Sequence, residues 1–132
     1  MNGPADLARG WLRKADSDLA TAELVVAGDG PYDTACYHAQ QAVEKSLEAV
    51  LAHCGTSIPR THNVEDLGQA AVEARPSLKL DLDALAEITP FAVELRYDPD
   101  FWPDRDTAVE AVASARTVRS AVAAVLPAGT RP

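Results

Sequence analysis

Apolar residues recur every three or four positions through most of this chain, and that spacing predicts α-helices rather than strands. The first helix is expected from about Pro4 to Ala27, with a regular apolar seam made of Ala8, Leu12, Ala15, Leu19, Ala22 and Val26. Residues 28–31 end it, because glycine accepts left-handed backbone angles and proline cannot continue a helix. Since this link is short, the second helix is predicted to run antiparallel beside the first.

The second predicted helix, from Asp33 to about Cys54, carries the most informative pattern of the chain. Its apolar seam consists of Cys36, Ala39, Val43, Leu47, Val50 and Cys54. A stripe of hydrogen-bonding side chains borders this seam, formed by Tyr37, His38, Gln41, Glu44, Lys45 and Glu48. The spacing predicts a bundle helix whose sides pack against other helices. It leaves open whether Tyr37, His38 and Gln41 face solvent, a second subunit or a cleft.

Two further helices are predicted in the middle of the chain. A short one spans Val64 to Ala74 and is capped by Asn63 or Thr61. The next begins at residues 81–83 and continues to Tyr97, with an apolar face of Leu82, Leu85, Ile88 or Thr89, Ala92 and Leu95. Pro90 lies inside this second pattern and is expected to kink the helix, because proline removes a backbone hydrogen bond.

The last helix is predicted from Asp104 to about Leu126, after a loop rich in Pro and Asp. Its apolar side is expected to contain Val109, Val112, Ala115, Val118 or Arg119, Val122 and Val125 or Leu126. Residues 127–132 are expected to form a flexible tail. The predicted fold class is therefore all-α: an up-and-down four-helix bundle with one additional short helix, in a single domain over residues 1–132.

Composition narrows the range of partners. The net charge of −8 and the pI near 4.7 argue against a surface that grips nucleic acid along its backbone, although a local basic pocket stays possible. No segment approaches the roughly 18 apolar residues of a membrane span, and the N-terminus lacks a signal-peptide pattern, so a cytoplasmic protein is expected. Cys36 and Cys54 lie about 27 Å apart on one predicted helix, too far for a disulfide.

The spacing of possible ligands predicts neither a metal site nor a cofactor. Cys36 and His38 point to different sides of a helix, and so do His53 and Cys54. Four aspartates cluster near the last loop: Asp98, Asp100, Asp104 and Asp106. We interpret them as helix caps and turn formers, because no loop glycine or bidentate glutamate completes a calcium site.

Four residues at predicted helix ends are candidates for binding a ligand: Arg60, His62, Arg96 and Tyr97. Arginine offers a planar fork of donors suited to phosphate, and histidine changes charge near neutral pH. The same residues suit structural roles, since arginine also satisfies carbonyls at a helix end and histidine often packs or caps there. Considered alone, these positions favour the structural interpretation.

Several segments, taken in order along the chain, resemble the HEPN domain. They are Trp11-Leu12 with Ala15, Asp18-Leu19 and Ala22; residues 35–45, which contain the run Ala-Gln-Gln-Ala-Val-Glu-Lys; residues 59–63 with Leu67; and Arg96-Tyr97 with Pro99. Together these segments cover nearly the whole chain. The resemblance identifies Tyr37, His38, Gln41 and Lys45 as residues of the family's signature helix.

The resemblance implies a helical bundle that usually forms a homodimer. It also implies a neighbouring minimal nucleotidyltransferase, with which HEPN proteins form toxin–antitoxin pairs, and either nucleotide binding or metal-independent ribonuclease activity. In the ribonuclease members an arginine is followed, after four to six residues, by a histidine. Arg96 stands where that arginine is expected, but Phe101, Trp102 and Pro103 occupy the positions allowed for the histidine.

This departure bears directly on catalysis. Cleavage of RNA by its own 2′-hydroxyl needs a base that takes a proton and a cation or acid that meets the developing charge. Arg96 supplies only the second, so a base would come from His62, His38 or Tyr97. The leading hypothesis is a HEPN partner of a nucleotidyltransferase that binds nucleotide or RNA near Arg96 and Tyr97. The alternatives are a ribonuclease toxin with a displaced base and a non-catalytic dimerisation scaffold.

Overall fold

The computed structural model describes residues 3–132, except for the side chains of Ala92 and Arg96. The helices of this described part are α1 (Pro4–Ala27), α2 (Tyr32–His53), α3 (Val64–Ala74), α4 (Leu82–Ile88), α5 (Phe91–Tyr97) and α6 (Arg105–Val125), followed by a 3-10 helix (Ala128–Thr130). Residues 3–132 contain no strand. The predicted all-α class and helical-bundle architecture are confirmed.

Helix α2 is the centre of the bundle. It packs along α1, and it also contacts α3, α5 and α6, while α4 lies on α3. The seams predicted from the sequence supply most of the core, including Ala8, Leu12, Ala15 and Ala22 from α1 and Cys36, Ala39, Val43, Leu47 and Val50 from α2. The turn between α1 and α2 depends on Gly30, whose φ of 96° lies in the left-handed region that favours glycine.

The segment around Pro90 differs from its prediction. Instead of one kinked helix, the chain forms two helices of seven residues each, α4 and α5. The first ends with the Thr89 amide donating to Leu85, and the second begins with the Glu94 amide donating to the Pro90 carbonyl. Proline has no amide hydrogen to continue the helical ladder, which is why the chain breaks there.

Two details at the C-terminal end also differ from expectation. Val109 is exposed, and the first buried residues of α6 are Ala108, Ala111 and Val112, so the register at the start of the helix was predicted one residue off. Residues 127–132, expected to fray, include the 3-10 helix, which packs against α1. Thr130 is buried there, and its hydroxyl donates to the Pro127 carbonyl.

The polar residues predicted to cap helices do so. Asn63 Oδ1 accepts from the amides of Glu65 and Asp66 at 2.9 and 3.1 Å. Asp104 Oδ1 accepts from the Thr107 amide at 2.8 Å, as expected for a cap in the aspartate cluster. Over residues 3–132, no group of three or more His, Cys, Asp or Glu side chains could hold a metal ion. No helix in that range is long and apolar enough to cross a membrane.

The two cysteines are free thiols, and neither forms a disulfide. Burial, with smaller contributions from Asp33 and Asp104, raises the pKa of the Cys36 thiol to about 12. Since the thiolate is the reactive form, Cys36 acts as a small apolar core residue. His53, beside Cys54, has a structural partner: its Nδ1 lies 2.9 Å from Arg75 Nη2, and Arg75 Nη1 donates to the Val125 carbonyl at 3.0 Å.

Candidate functional site

The polar face of α2 is more deeply buried than its sequence suggests. Steps of three and four residues along α2 align one row of side chains on the helix surface. We call this row the α2 stripe, and its residues are Tyr37, Gln40, Gln41, Glu44 and Glu48. Gln40, Glu44 and Glu48 are all buried, although none of them belongs to the apolar seam. Buried polar groups of this kind require partners. The polar side chains of α2 and their partners form two clusters.

The first cluster, which we call the Asp18 cluster, consists of Asp18 on α1 with His38 and Lys45 on α2. Lys45 Nζ lies 2.6 Å from Asp18 Oδ2, and His38 Nδ1 lies 2.8 Å from Asp18 Oδ1. Both oxygens of one largely buried carboxylate therefore have a basic partner. This arrangement joins the two longest helices of the bundle, and its negative charge is compensated.

The second cluster, which we call the Glu44 cluster, consists of Gln40, Glu44, Glu48 and His62. Gln40 Nε2 donates to Glu44 Oε2 at 2.9 Å and lies 3.4 Å from the His62 carbonyl, which fixes the α2–α3 loop on α2. Gln41 extends the network by donating to Gln40 Oε1 at 2.7 Å. His62 Nδ1 lies 3.3 Å from Glu44 Oε1, while 58% of the His62 side chain stays exposed.

The two glutamates of the Glu44 cluster lie one turn apart on α2, and both are buried. Burial raises the pKa of Glu48 from its ordinary 4.5 to about 7, and the nearby Glu44 acts in the same direction. The positive charge of Lys45 lowers the pKa of Glu48 and so partly offsets this rise. Glu48 therefore changes its charge near neutral pH.

The residues predicted to bind a ligand lie on two segments that approach the α2 stripe. Arg60 and His62 are exposed in the loop before α3, where His62 contacts Glu44. Tyr97 is 74% exposed at the end of α5. The backbone of Arg96 belongs to the last turn of α5, but its side chain lies outside the described part of the structure.

The end of α5 lies beside the first turns of α2. Leu95, one residue before Arg96, lines a shallow depression of about 210 Å³ together with Asp33, Thr34 and Tyr37. Tyr37 and Glu44 are seven residues apart, which is about 10 Å along a helix axis. Leu95 and His62 therefore approach the same face of α2, about two turns apart.

Sequence reasoning missed the polar residues that organise this face. His38, Gln41 and Lys45 were singled out, whereas Asp18, Gln40, Glu44 and Glu48 were not proposed as site residues. One local signal was available, since residues 40, 44 and 48 are polar and are spaced to contact one another on a helix. Their burial depends on α1 and on the α2–α3 loop, and local spacing does not reveal those contacts.

A larger cleft lies elsewhere, between α4 and α6. It has a volume of about 260 Å³ and is lined mainly by apolar and small side chains, among them Leu80, Ala84, Leu85, Ala113 and Val118. None of the residues of the two polar clusters lines it. Its chemistry suits packing more than catalysis, so the α2 stripe stays the candidate site.

Comparison with known proteins agrees with this architecture. The family model of the HEPN domain matches residues 8–125. Among solved structures, TT1696 from Thermus thermophilus is 26% identical with a TM-score of 0.76, and the alignment covers 90% of this chain and 98% of that one. ST0689, an archaeal HEPN homologue, is 23% identical with a TM-score of 0.63, over 89% and 95% of the two chains. No curated protein matches the chain. The chain belongs to the HEPN domain family.

Proposed function

We propose that this HEPN protein is the helical-bundle partner of a minimal nucleotidyltransferase in a toxin–antitoxin module, and that it binds a nucleotide or RNA near Arg96 and Tyr97. One observation supports the location above all: His62 and Leu95, which neighbour Arg60 and Arg96 in the sequence, approach the same polar stripe of α2. Family membership supports the partner, because HEPN proteins occur beside such enzymes.

The chemistry of these two segments fits a phosphorylated ligand. Arg60 and Arg96 carry guanidinium groups, which match phosphate oxygens in geometry and charge. Tyr97 exposes most of an aromatic ring, on which a base could stack. Because the protein as a whole is acidic, Arg60 and Arg96 would hold the ligand at one place and not along the surface.

A homodimer is part of the proposal. Val93 and Tyr97 are four residues apart on α5, and both are exposed, as is Trp102 in the following loop. Large exposed apolar side chains close together commonly mark an interface. We propose that this surface forms the contact between two copies of the chain and that the ligand lies next to it. Light scattering after size-exclusion chromatography should give twice the mass of one chain, and a monomer at high concentration would contradict the proposal.

Ligand binding is tested with a fluorescent single-stranded RNA and with ATP, using fluorescence anisotropy and thermal shift. Tyr97→Ala should weaken binding about tenfold, since stacking of one base contributes about 1–3 kcal/mol. Arg60→Ala should also weaken binding about tenfold, because it removes a guanidinium group that matches phosphate oxygens. Arg13→Ala is the matched control, because Arg13 is also an exposed arginine but lies on α1. This variant should bind the ligand with unchanged affinity. Equal affinity for all four proteins would argue against this location.

The partner is tested by co-expression. A minimal nucleotidyltransferase encoded in the adjacent reading frame should co-purify with the chain through affinity and size-exclusion steps. An unrelated adjacent gene, or a nucleotidyltransferase that elutes alone, would remove this part of the proposal.

A second candidate function, that of a metal-independent ribonuclease, is favoured by the contact between His62 and Glu44. A histidine backed by a carboxylate is a common arrangement for moving protons. The family motif lacks its histidine after Arg96, so such an activity would require a base from another part of the chain.

A further inference from the structure

The cleft between α4 and α6 continues into a second, smaller one. The larger part has a volume of about 260 Å³, and a part of about 100 Å³ adjoins it toward the start of α5. Ala84 and Ser114 line both parts, so together they form one groove, which we call the α4–α6 groove. No residue of the two polar clusters lines it, and neither do Val93, Tyr97 and Trp102 of the proposed dimer contact.

One face of α6 forms a wall of this groove along three helical turns. Most of its lining residues are spaced by three or four: Thr107, Glu110, Ala111, Ser114, Thr117 and Val118. From Thr107 to Val118 this face extends about 16 Å, at 1.5 Å per residue. An open groove of that length between two helices suits a further helix of about three turns.

The floor of the groove is apolar, and its outer edge is made of small side chains. Leu85 and Val118 are buried at the floor, whereas Ala113 and Thr117 are exposed. Helix α4 packs closely on α3, because a Cβ atom on Gly68 would lie only 2.7 Å from Leu85 Cδ1. The contact of α4 with α6 is slight, so the space between these two helices stays open.

The charged residues that line the groove are mainly acidic. Asp81, Glu87 and Glu110 line it together with one cation, Lys79, and all four residues are exposed. Among the side chains that the structure describes, Glu87 and Glu110 have no hydrogen-bond or ion-pair partner. An apolar floor beside unpaired carboxylates is complementary to a helix whose apolar face is bordered by Lys or Arg.

We propose that the α4–α6 groove is a docking site for a cationic amphipathic helix of a partner protein. The apolar side chains of that helix pack on Leu85 and Val118, and its Lys or Arg side chains pair with Glu87 and Glu110. Salt weakens the binding, because ions screen charges at the edge of an interface. The groove is separate from the ligand site proposed at the end of α5, so this inference does not depend on nucleotide or RNA binding.

The first measurement locates the binding surface. The probe is a synthetic peptide of about 15 residues, about 22 Å long as a helix, with Leu and Ala on one face and Lys on the other. A side-chain cross-link keeps it helical. A second peptide has the same apolar face and Glu in place of every Lys. In nitrogen-15 NMR spectra of the full chain, the Lys peptide should shift the amides of α4 and of residues 107–118, and the Glu peptide should shift none. Absence of shifts with the Lys peptide, or shifts centred on another surface, would overturn the proposal.

The second measurement reverses the charge of the groove and follows both peptides by fluorescence anisotropy. Glu87→Lys combined with Glu110→Lys should weaken binding of the Lys peptide about tenfold or more, since like charges then face each other, and should create binding of the Glu peptide. Asp6→Lys combined with Glu73→Lys is the matched control, because it changes the net charge equally at exposed positions outside the groove. The control should bind the Lys peptide nearly as well as the unmodified protein. Equal weakening in both double variants would show a response to net charge alone and would overturn the proposal.

The third measurement obstructs the groove without changing its charge. Ala113→Trp places a large ring at an exposed edge of the groove and should largely abolish binding of the Lys peptide. Ala124→Trp, at an exposed alanine of α6 outside the groove, should bind the peptide with unchanged affinity. Circular dichroism checks that both variants are folded. Equal affinity in the two variants would contradict docking in the groove. Spermidine that displaces the Lys peptide at equal concentration would also overturn the proposal, because the groove would then bind small cations and not a helix.

Discussion

The two polar clusters along α2 differ in how their buried carboxylates are neutralised. In the Asp18 cluster, one carboxylate has two basic partners within 2.8 Å. In the Glu44 cluster, two buried carboxyl groups lie together, and their neighbour in the α2–α3 loop is a half-exposed imidazole at 3.3 Å. The first carboxylate is matched by two basic side chains, whereas in the second cluster burial raises the pKa of Glu48 to about 7.

This difference separates a structural arrangement from a candidate site. A partly buried carboxylate matched by a lysine is a structural arrangement, because the loss of either partner leaves an uncompensated charge. A carboxyl pair that has to hold a proton is less stable when that proton is lost, and such perturbed groups concentrate where proteins carry out chemistry. We therefore assign the joining of α1 to α2 to the Asp18 cluster and the candidate chemistry to the Glu44 cluster.

The largest effect on stability is expected for Asp18→Asn. This change leaves the ammonium of Lys45 partly buried without its carboxylate, and removing one member of a buried pair costs about 3–5 kcal/mol. Because Lys45 keeps some contact with water, we expect a loss of about 3 kcal/mol in the free energy of unfolding, measured by urea denaturation at pH 7. Glu23→Gln, which breaks an exposed pair with Arg116, is the control and should cost about 1 kcal/mol or less. Similar losses in the two variants would contradict the structural role assigned to the Asp18 cluster, which is to join α1 to α2.

The next largest effect is a gain in stability, which is expected for Glu48→Gln. The pKa of Glu48 is raised from 4.5 to about 7 in the folded protein, so between these values the folded state binds more protons than the unfolded state. The contribution of Glu48 to the free energy of unfolding is therefore most favourable below about pH 4.5, and it is lost as pH rises through 7. Glutamine keeps a donor and has no charge to bury, so the variant should be about 2 kcal/mol more stable than the unmodified protein at pH 8.

The measurement for Glu48→Gln is a series of urea denaturation curves between pH 4 and pH 8. The gain should shrink steadily toward pH 4, and Glu110→Gln, at an exposed position of α6, should show no such dependence. A variant that is equally stable or less stable at pH 8 would contradict the view that the Glu44 cluster holds a proton.

Sequence periodicity predicted the fold well because each long helix buries one regular seam. The bounds of α1 and α3 agree with the structure, and the alanine, leucine and valine seams of α1 and α2 are mostly buried. The break at Pro90 was predicted only as a kink, since a proline signals disruption but not whether the helix resumes. The offset in α6 arises because alanine and valine alternate closely there, and several registers bury similar apolar area.

The candidate site was less predictable for a different reason. Helical spacing placed polar side chains on α2, but their partners come from distant parts of the chain. Asp18 meets Lys45 across 27 residues, and Gln40 reaches the His62 carbonyl across 22. The sequence therefore indicated that α2 has an unusual polar face, without indicating that Glu44 and Glu48 would be buried in it.

The smallest effects on stability are expected for the two histidines, and they provide the sharpest comparison. His38→Ala removes one of the two partners of Asp18 while Lys45 stays, so the loss should be about 1 kcal/mol. His62→Ala removes a mostly exposed ring and should change the free energy of unfolding by less than about 0.5 kcal/mol. Urea denaturation at pH 7 gives both values. If His62→Ala proves the more destabilising change, the Glu44 cluster is a structural clamp for the α2–α3 loop. If it is nearly neutral for folding, any loss of function in that variant reflects the ring itself, because the bundle that presents it is unchanged.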